Sequence, residues 1–256
     1  MTELPSGLTE LGGTVLSLRL GALFQGQRTS LGALPDWLDQ LRNLKALSFE
    51  RLDSCPELSG ADQILNKVVT FRFTGCSCMP PEWMGSLMGL QTLNLSGCTG
   101  LVELPEWMRS LAELQTLDLS GCENLVELPE WMGSLTGLQT LDLSECKDLV
   151  DLPEGMGSLT GLQTLDLSGC AGLLPEWMGS LAGLQTLHLS GFKGLVELPE
   201  GMGSLTGLQT LSLFGCAGLV KLPGWMGSLM GLQTLDLGDC EGLVELPEGM
   251  GSLTGL

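Results

Sequence analysis

From residue 90 onward the apolar positions recur in one long cycle. Leucines equivalent to Leu90 stand at Leu114, Leu138, Leu162, Leu184, Leu208 and Leu232, spaced 24 residues apart except for one interval of 22, where a pair is missing after Leu173. Two shorter periods alternate inside each cycle. In LQTLDL, Leu117 and Leu119 alternate with Thr116 and Asp118, which predicts a strand with leucines facing a core and Thr and Asp facing solvent. In LPEWMGSLTGL, Leu128, Met132, Leu135 and Leu138 are spaced by four, three and three, the spacing of a helical face. Pro129 suits the first turn of that return and Glu130 its positive start, while Gly133 and Gly137 keep it short.

Diverged copies continue toward the N-terminus through Val68, Leu44 and Val15, the last set off by an insertion around Leu23 to Ser30. This makes ten coils. Stacked at about 4.8 Å each, they give a parallel sheet roughly 48 Å long. The expected fold is an α/β solenoid, a horseshoe with a concave parallel β-sheet and short helical or 3₁₀ returns on its convex side. Residues 1–89 form the diverged part and residues 90–256 the regular part of one continuous solenoid, ending mid-repeat. A single coil cannot bury its own leucines, so stability comes from neighbour interfaces and exposed ends need capping. No cap is visible where the chain enters at Leu4-Pro5 or leaves at Leu256, and a fragment of a larger protein is expected.

Composition narrows the function classes. Hydrophobic residues make up 43% of the chain, enough for a sizeable core, and Tyr is absent. The formal net charge of -19 argues against nucleic acid, whose phosphates call for clustered Lys and Arg, and against anionic membranes. No apolar run approaches the roughly 20 residues that span a bilayer. The N-terminal MTELPSGLTELGG carries no basic leader or apolar core, so a soluble, cytoplasmic protein is expected. Cysteine usage agrees, because most of the nine Cys recur once per repeat rather than clustering as in small secreted scaffolds.

A period in the twenties carrying L-x-x-L-x-L followed by Cys is the signature of leucine-rich repeats. The units LQTLDLSGCENLVELPEWMGSL and LQTLDLSECKDLVDLPEGMGSL resemble the cytosolic leucine-rich repeats of plant nucleotide-binding disease-resistance receptors. Scaffold proteins of the Ras-suppressor type share the LPxxM-x-x-L return. The resemblance implies a protein-recognition module, the sensor region of an immune-type receptor, with a constitutive signalling scaffold as the alternative. Two departures stand out. Two residues separate Cys122 from Leu125, which lengthens that loop, and no GxxxxGK[ST] phosphate-binding motif occurs, so the receptor's nucleotide switch is not in this chain.

The central exposed column of the inner sheet runs Arg19, Ser48, Arg72, Asn94, Asp118, Asp142, Asp166, His188, Ser212, Asp236. Asp118, Asp142 and Asp166 stand in successive coils, where each neighbouring pair repels by about 1 kcal/mol in water and several-fold more at lower dielectric; no group on the strand itself is expected to neutralise them. Two readings follow. Either these carboxylates receive Lys or Arg from a protein ligand with a basic patch, with Arg72, Asn94, His188, Ser212, Phe214 and Asp236 extending the surface, or duplication copied one tolerated Asp and solvent screens it.

Other ladders carry their own readings. Trp83, Trp107, Trp131, Trp177 and Trp225 share a slot with Gly155, Gly201 and Gly249; a slot that accepts both is not deep core. It is either partly exposed packing or a secondary aromatic contact strip. Cys76, Cys98, Cys122, Cys146, Cys170, Cys216 and Cys240, with Phe192 in one slot, read as small buried fillers that hydrogen-bond loop backbone rather than as metal ligands. The threonines from Thr92 to Thr234 could order water as an ice-binding surface, which the adjacent charges disfavour. His188 lies beside Asp166 and before Ser190, without an oriented nucleophile or oxyanion hole. No catalytic residue, metal or cofactor is expected.

Overall fold

The computed structural model describes residues 16–21, 29–30, 41–57 and 65–256. The copy read at Val15, the part of the insertion over residues 23–28 and the start at Leu4-Pro5 lie outside them. Along the chain the strands are β1 (Ser17–Gly21), β2 (Thr29–Ser30), β3 (Ala46–Glu50), β4 (Leu52–Ser54), β5 (Thr70–Thr74), β6 (Thr92–Asn94), β7 (Thr116–Asp118), β8 (Thr140–Asp142), β9 (Thr164–Asp166), β10 (Thr186–His188), β11 (Thr210–Ser212) and β12 (Thr234–Asp236). Apart from β2 and β4, which pair with each other, all form one ten-stranded sheet in chain order. Every neighbouring pair is parallel and in register, Thr on Thr and Leu on Leu from β6 onward.

The regular strands cover three residues rather than the six of LQTLDL, yet the backbone ladder reaches further. The amides of Gln115 and Thr116 both donate to the Gln91 carbonyl, at 2.8 and 2.9 Å, while Leu95 and Gly97 donate to Asp118 and Ser120 of the next coil at 2.7 Å. Leu117 and Leu119 are fully buried beneath. Parallel pairing needs a long crossover, and here the crossover is the remainder of each coil.

Each return from residue 82 onward is a five-residue 3₁₀ helix such as Glu130–Ser134. Pro129 precedes that helix as its extended cap residue, not inside its first turn as expected, and its carbonyl accepts the Met132 amide at 3.0 Å. Leu135 then donates to Met132 and Leu138 to Leu135, at 3.1 and 2.9 Å. The run Met132, Leu135, Leu138 is therefore a succession of three-residue turns, whose side chains eclipse and all point into the core; all three are buried. After each strand from β6 onward the chain turns through a left-handed residue, Gly97, Gly121, Gly169, Gly191 or Gly215 at φ between 65° and 73°, with Glu145 and Asp239 held at φ 58° and 56° in the same slot.

The cysteine slot ties coil to coil. Cys122, Cys146 and Cys170 are at most 1% exposed, and each thiol donates to a carbonyl of the preceding coil, Leu95, Leu119 and Leu143, at 3.2, 3.2 and 3.1 Å. All nine cysteines are free thiols. Among the described residues no helix is long and apolar enough to cross a membrane, and no group of three or more His, Cys, Asp or Glu is placed to hold a metal ion.

On the convex side the Trp/Gly slot sets how closely successive returns approach. A Cβ added to Gly85 would lie 2.8 Å from Trp107 Cβ, and one added to Gly203 would lie 3.1 Å from Trp225 Cβ, so each indole stands on the return of the preceding coil. Where glycine fills the slot the backbones touch instead: a Cβ on Gly133 would sit 2.0 Å from the Gly155 carbonyl oxygen. Gly155 and Gly201 donate their amides to the carboxylates of Glu130 and Glu176 at 2.8 and 2.9 Å.

Two outcomes are expected. Gly133→Ala lowers unfolding free energy by about 1–3 kcal/mol, the usual cost of forcing atoms into a packed space, whereas Gly224→Ala, with no atom within 4 Å of its added Cβ, leaves denaturant midpoints nearly unchanged. Burial pushes the Cys122 thiol up to about 11 and that of Cys170 to about 12. Both stay protonated in the native state while an unfolded thiol ionises near 8.5, so the unfolded chain releases these protons first and stability falls as pH rises through about 9 to 11. Chemical denaturation across that range measures the slope, and a flat profile would contradict the buried ladder.

Candidate functional site

The concave column begins where each strand ends. Register places Arg19 beside Ser48 and Ser48 beside Arg72, then Arg72 beside Asn94 and Asn94 beside Asp118. Asp142, Asp166, His188, Ser212 and Asp236 follow, each next to the last. All ten expected positions therefore form one continuous row. Its N-terminal end is basic, although Arg19 is engaged in an ion pair with Glu50; its middle is acidic. From Asn94 to Ser212 the row is half-buried, and Arg72 and Asp236 are exposed.

Among the described residues no cation on the strands pairs with the aspartates, but each is held by its own turn beyond the strand. Asp118 Oδ1 accepts the Ser120 amide at 3.0 Å and its hydroxyl at 2.6 Å, and Asp142 Oδ1 accepts the same pair from Ser144 at 2.9 and 2.6 Å. Asp166 Oδ1 accepts the Ser168 amide at 2.8 Å, and Asp236 Oδ1 the Gly238 amide at 3.0 Å. Asn94 does likewise with Ser96 and also donates its amide to Asp118 Oδ2. These are Asx-type turns, in which a side-chain oxygen binds backbone two residues on and bends the chain out of the strand. The signal was present in the sequence as the recurring D-x-S, with Ser96, Ser120, Ser144 and Ser168 as unremarked partners.

One oxygen of each central carboxylate is thus committed to the fold. Asp118 has its second oxygen taken by Asn94 as well, while Oδ2 of Asp142 and of Asp166 has no hydrogen-bond partner among the described residues. Further along, the Ser190 and Ser212 hydroxyls bond each other at 2.9 Å, so Ser190 is paired away from His188. Phe214 replaces the serine of its coil and is 45% exposed at the edge of the row; a Cβ on Gly238 would lie 2.8 Å from its ring.

The tryptophans lie on a different surface, with the returns. All five are half-buried and pack against the core. Trp83 meets Phe49 and Phe71 edge-on, with ring centroids 6.4 and 5.8 Å apart, and donates its indole N–H to Pro56 at 3.0 Å. The indole nitrogens of Trp107, Trp131, Trp177 and Trp225 are buried without a hydrogen-bond partner. Water-covered nitrogens would be expected on an open contact strip; these are enclosed between coils.

Comparison with known proteins supports the fold. A family model described as a leucine-rich repeat region matches residues 67–170. No curated protein matches the sequence. Among solved structures, the leucine-rich repeat domain of the type III effector XopL aligns at a TM-score of 0.58 and 23% identity, over 96% of this chain and 76% of that one. The TLR13–ssRNA13 complex aligns at 0.66 and 23% identity, over 88% of this chain and 37% of TLR13. The plant peptide hormone receptor RGFR1, in complex with RGF2, aligns at 0.54 and 22% identity, over 94% and 48%, so the chain spans about half of that receptor. Parallel in-register strands, a 3₁₀ return in each coil from residue 82 onward and the matched repeat region together give this chain the fold of a leucine-rich repeat solenoid.

Proposed function

We propose that the concave row binds a protein ligand through a basic patch, with Asp142 and Asp166 as its principal acceptors and Asp118, Asn94, His188, Ser212, Phe214, Asp236 and Arg72 as its flanks. The observation that carries this reading is the pair of half-buried carboxylates in adjacent coils, each with one oxygen engaged by its own turn and one unpartnered. A guanidinium or ammonium set between them relieves their mutual repulsion and gains charge-assisted hydrogen bonds, about twice as strong as neutral ones. The engaged oxygen also holds each carboxylate in place before the ligand arrives, so little side-chain entropy is lost on binding.

RGFR1, of the same fold, is in complex with RGF2, which agrees with a protein or peptide ligand. TLR13 is in complex with single-stranded RNA, but a row of carboxylates in a chain of net charge -19 opposes phosphate, and nucleic acid is not the proposed ligand. The likeness of the repeat units to plant disease-resistance receptors supports a cytoplasmic sensor segment of an immune-type receptor as the setting, with the free thiols in keeping with a reducing compartment. The scaffold and ice-binding alternatives have no structural feature that favours them over this one.

Affinity capture on the immobilised chain tests the reading, with Asp118→Lys, Asp142→Lys and Asp166→Lys combined as the control. A partner retained by the native chain at low salt and released at high salt is expected to lose at least roughly tenfold in affinity on charge reversal, a change of about 1.4 kcal/mol. A partner held equally well by both forms, with the same salt dependence, overturns it.

A further inference from the structure

The shortened coil breaks a second ladder, on the loop side of the solenoid. Where one complete coil follows another, the valine after the leucine of the Cys loop bonds through its backbone to the valine of the preceding coil: Val126 donates to Val102 at 3.4 Å, Val150 to Val126 at 3.3 Å, Val220 to Val196 at 3.2 Å and Val244 to Val220 at 3.4 Å, whereas Val102, which follows the equally short stretch from Cys76 to Trp83, makes no such bond. Between Val150 and Val196 lies the coil with Ala171-Gly172-Leu173-Leu174-Pro175, two residues short and without that valine. The Val196 N–H, which would reach back to it, has no hydrogen-bond partner among the described residues.

Core packing adjusts to the deletion on one side only. Leu125, the counterpart leucine of a complete coil, is fully buried, whereas Leu173 is 73% exposed. Phe192, in the slot that elsewhere holds Cys, is 3% exposed and lines with Leu149, Leu167 and Cys170 a remaining void of only about 10 Å³. The larger side chain thus fills the interior beside the missing residues. The exterior stays open: a recess of about 500 Å³ is lined by Leu173, Leu174, Val196 and Pro199, with Glu176, Glu197, Glu200 and Lys221 around it. Glu176 is occupied with the Gly201 amide, and Glu197 lies 4.0 Å from Lys221; Glu200 makes no ion pair among the described residues, leaving the rim acidic.

We propose that this notch is a second docking site, distinct from the concave row, for an extended peptide segment that carries a basic residue beside an apolar one. Its backbone carbonyl accepts the Val196 N–H in place of the missing valine, its apolar side chain enters the recess against Leu173 and Val196, and its Lys or Arg lies on Glu197 and Glu200. The occupant follows from the site: an unpaired amide calls for a main-chain acceptor, as in strand addition, and the acidic rim selects cationic neighbours.

The test uses the capped peptide Ala-Arg-Leu-Arg-Ala against the isotope-labelled chain, read by amide chemical shifts. Saturable shifts are expected at Leu173, Gly194, Val196 and Glu197, with none there from Ala-Glu-Leu-Glu-Ala. Inserting Val-Glu between Leu173 and Leu174 restores the unit found at Leu125-Val126-Glu127-Leu128 and is expected to weaken binding at the notch at least roughly tenfold. Leu173→Asp changes an exposed side chain without touching the core and is expected to do the same. Charge reversal of the concave row leaves the notch shifts in place, which separates this site from the one proposed above. Absence of shifts at these four amides, or their persistence in both the insertion and Leu173→Asp forms, overturns the proposal.

Discussion

Everything in this molecule follows from leucines that no single coil can bury. A 24-residue coil carries more apolar surface than its own backbone can cover, and only a neighbour on each side removes that surface from water. The leucines at Leu117, Leu119, Leu135 and Leu138 are buried to within 1% because equivalent leucines lie directly above and below them. At about 1.5–3 kcal/mol for each such side chain, the contact between coils outweighs any interaction within one.

That constraint imposes register, and register produces the surface chemistry. Once leucine must sit on leucine, every other position of the repeat also stacks on its equivalent, so one Asp per unit becomes a row, one Cys a file of thiols and one Trp a series of spacers. The rows then acquire fold-level duties. Aspartate bends the chain out of the strand by accepting the serine amide two residues on, the thiol donates across to the preceding coil, and tryptophan or glycine sets the gap between returns. The function proposed above draws on what these duties leave over, foremost the second oxygens of Asp142 and Asp166. Irregularity underlies the second proposal: the two-residue deletion after Leu173 interrupts a backbone ladder that Val126, Val150, Val220 and Val244 complete.

Much of this was legible in the sequence because it is periodic. Alternation in LQTLDL and the three-residue spacing of Met132, Leu135 and Leu138 gave the strand, the return and the inward face of each, and the column from Arg19 to Asp236 was read in its observed order. Local turn chemistry was harder to see. Asp118 and Ser120 are both exposed by alternation, and only the backbone conformation shows that one accepts from the other. Pro129 could occupy either the cap or the first turn, since both tolerate a missing N–H. The relation between Phe192 and the deletion at Leu173 was hidden because the two lie in different coils, and only stacking puts a bulky side chain beside missing chain. The buried indole nitrogens likewise depend on how closely two returns approach, which no spacing within one repeat encodes.

The most direct test of coil-to-coil coupling is equilibrium unfolding of a nested series of C-terminal truncations cut at successive coil boundaries. Unfolding free energy and denaturant sensitivity should both decline in near-equal steps as coils are removed, since each step deletes one interface and one coil's worth of buried surface. If stability stayed constant along the series, or a lone coil folded by itself, the coils would be independent units and the shared register behind both proposed sites would lose its physical basis.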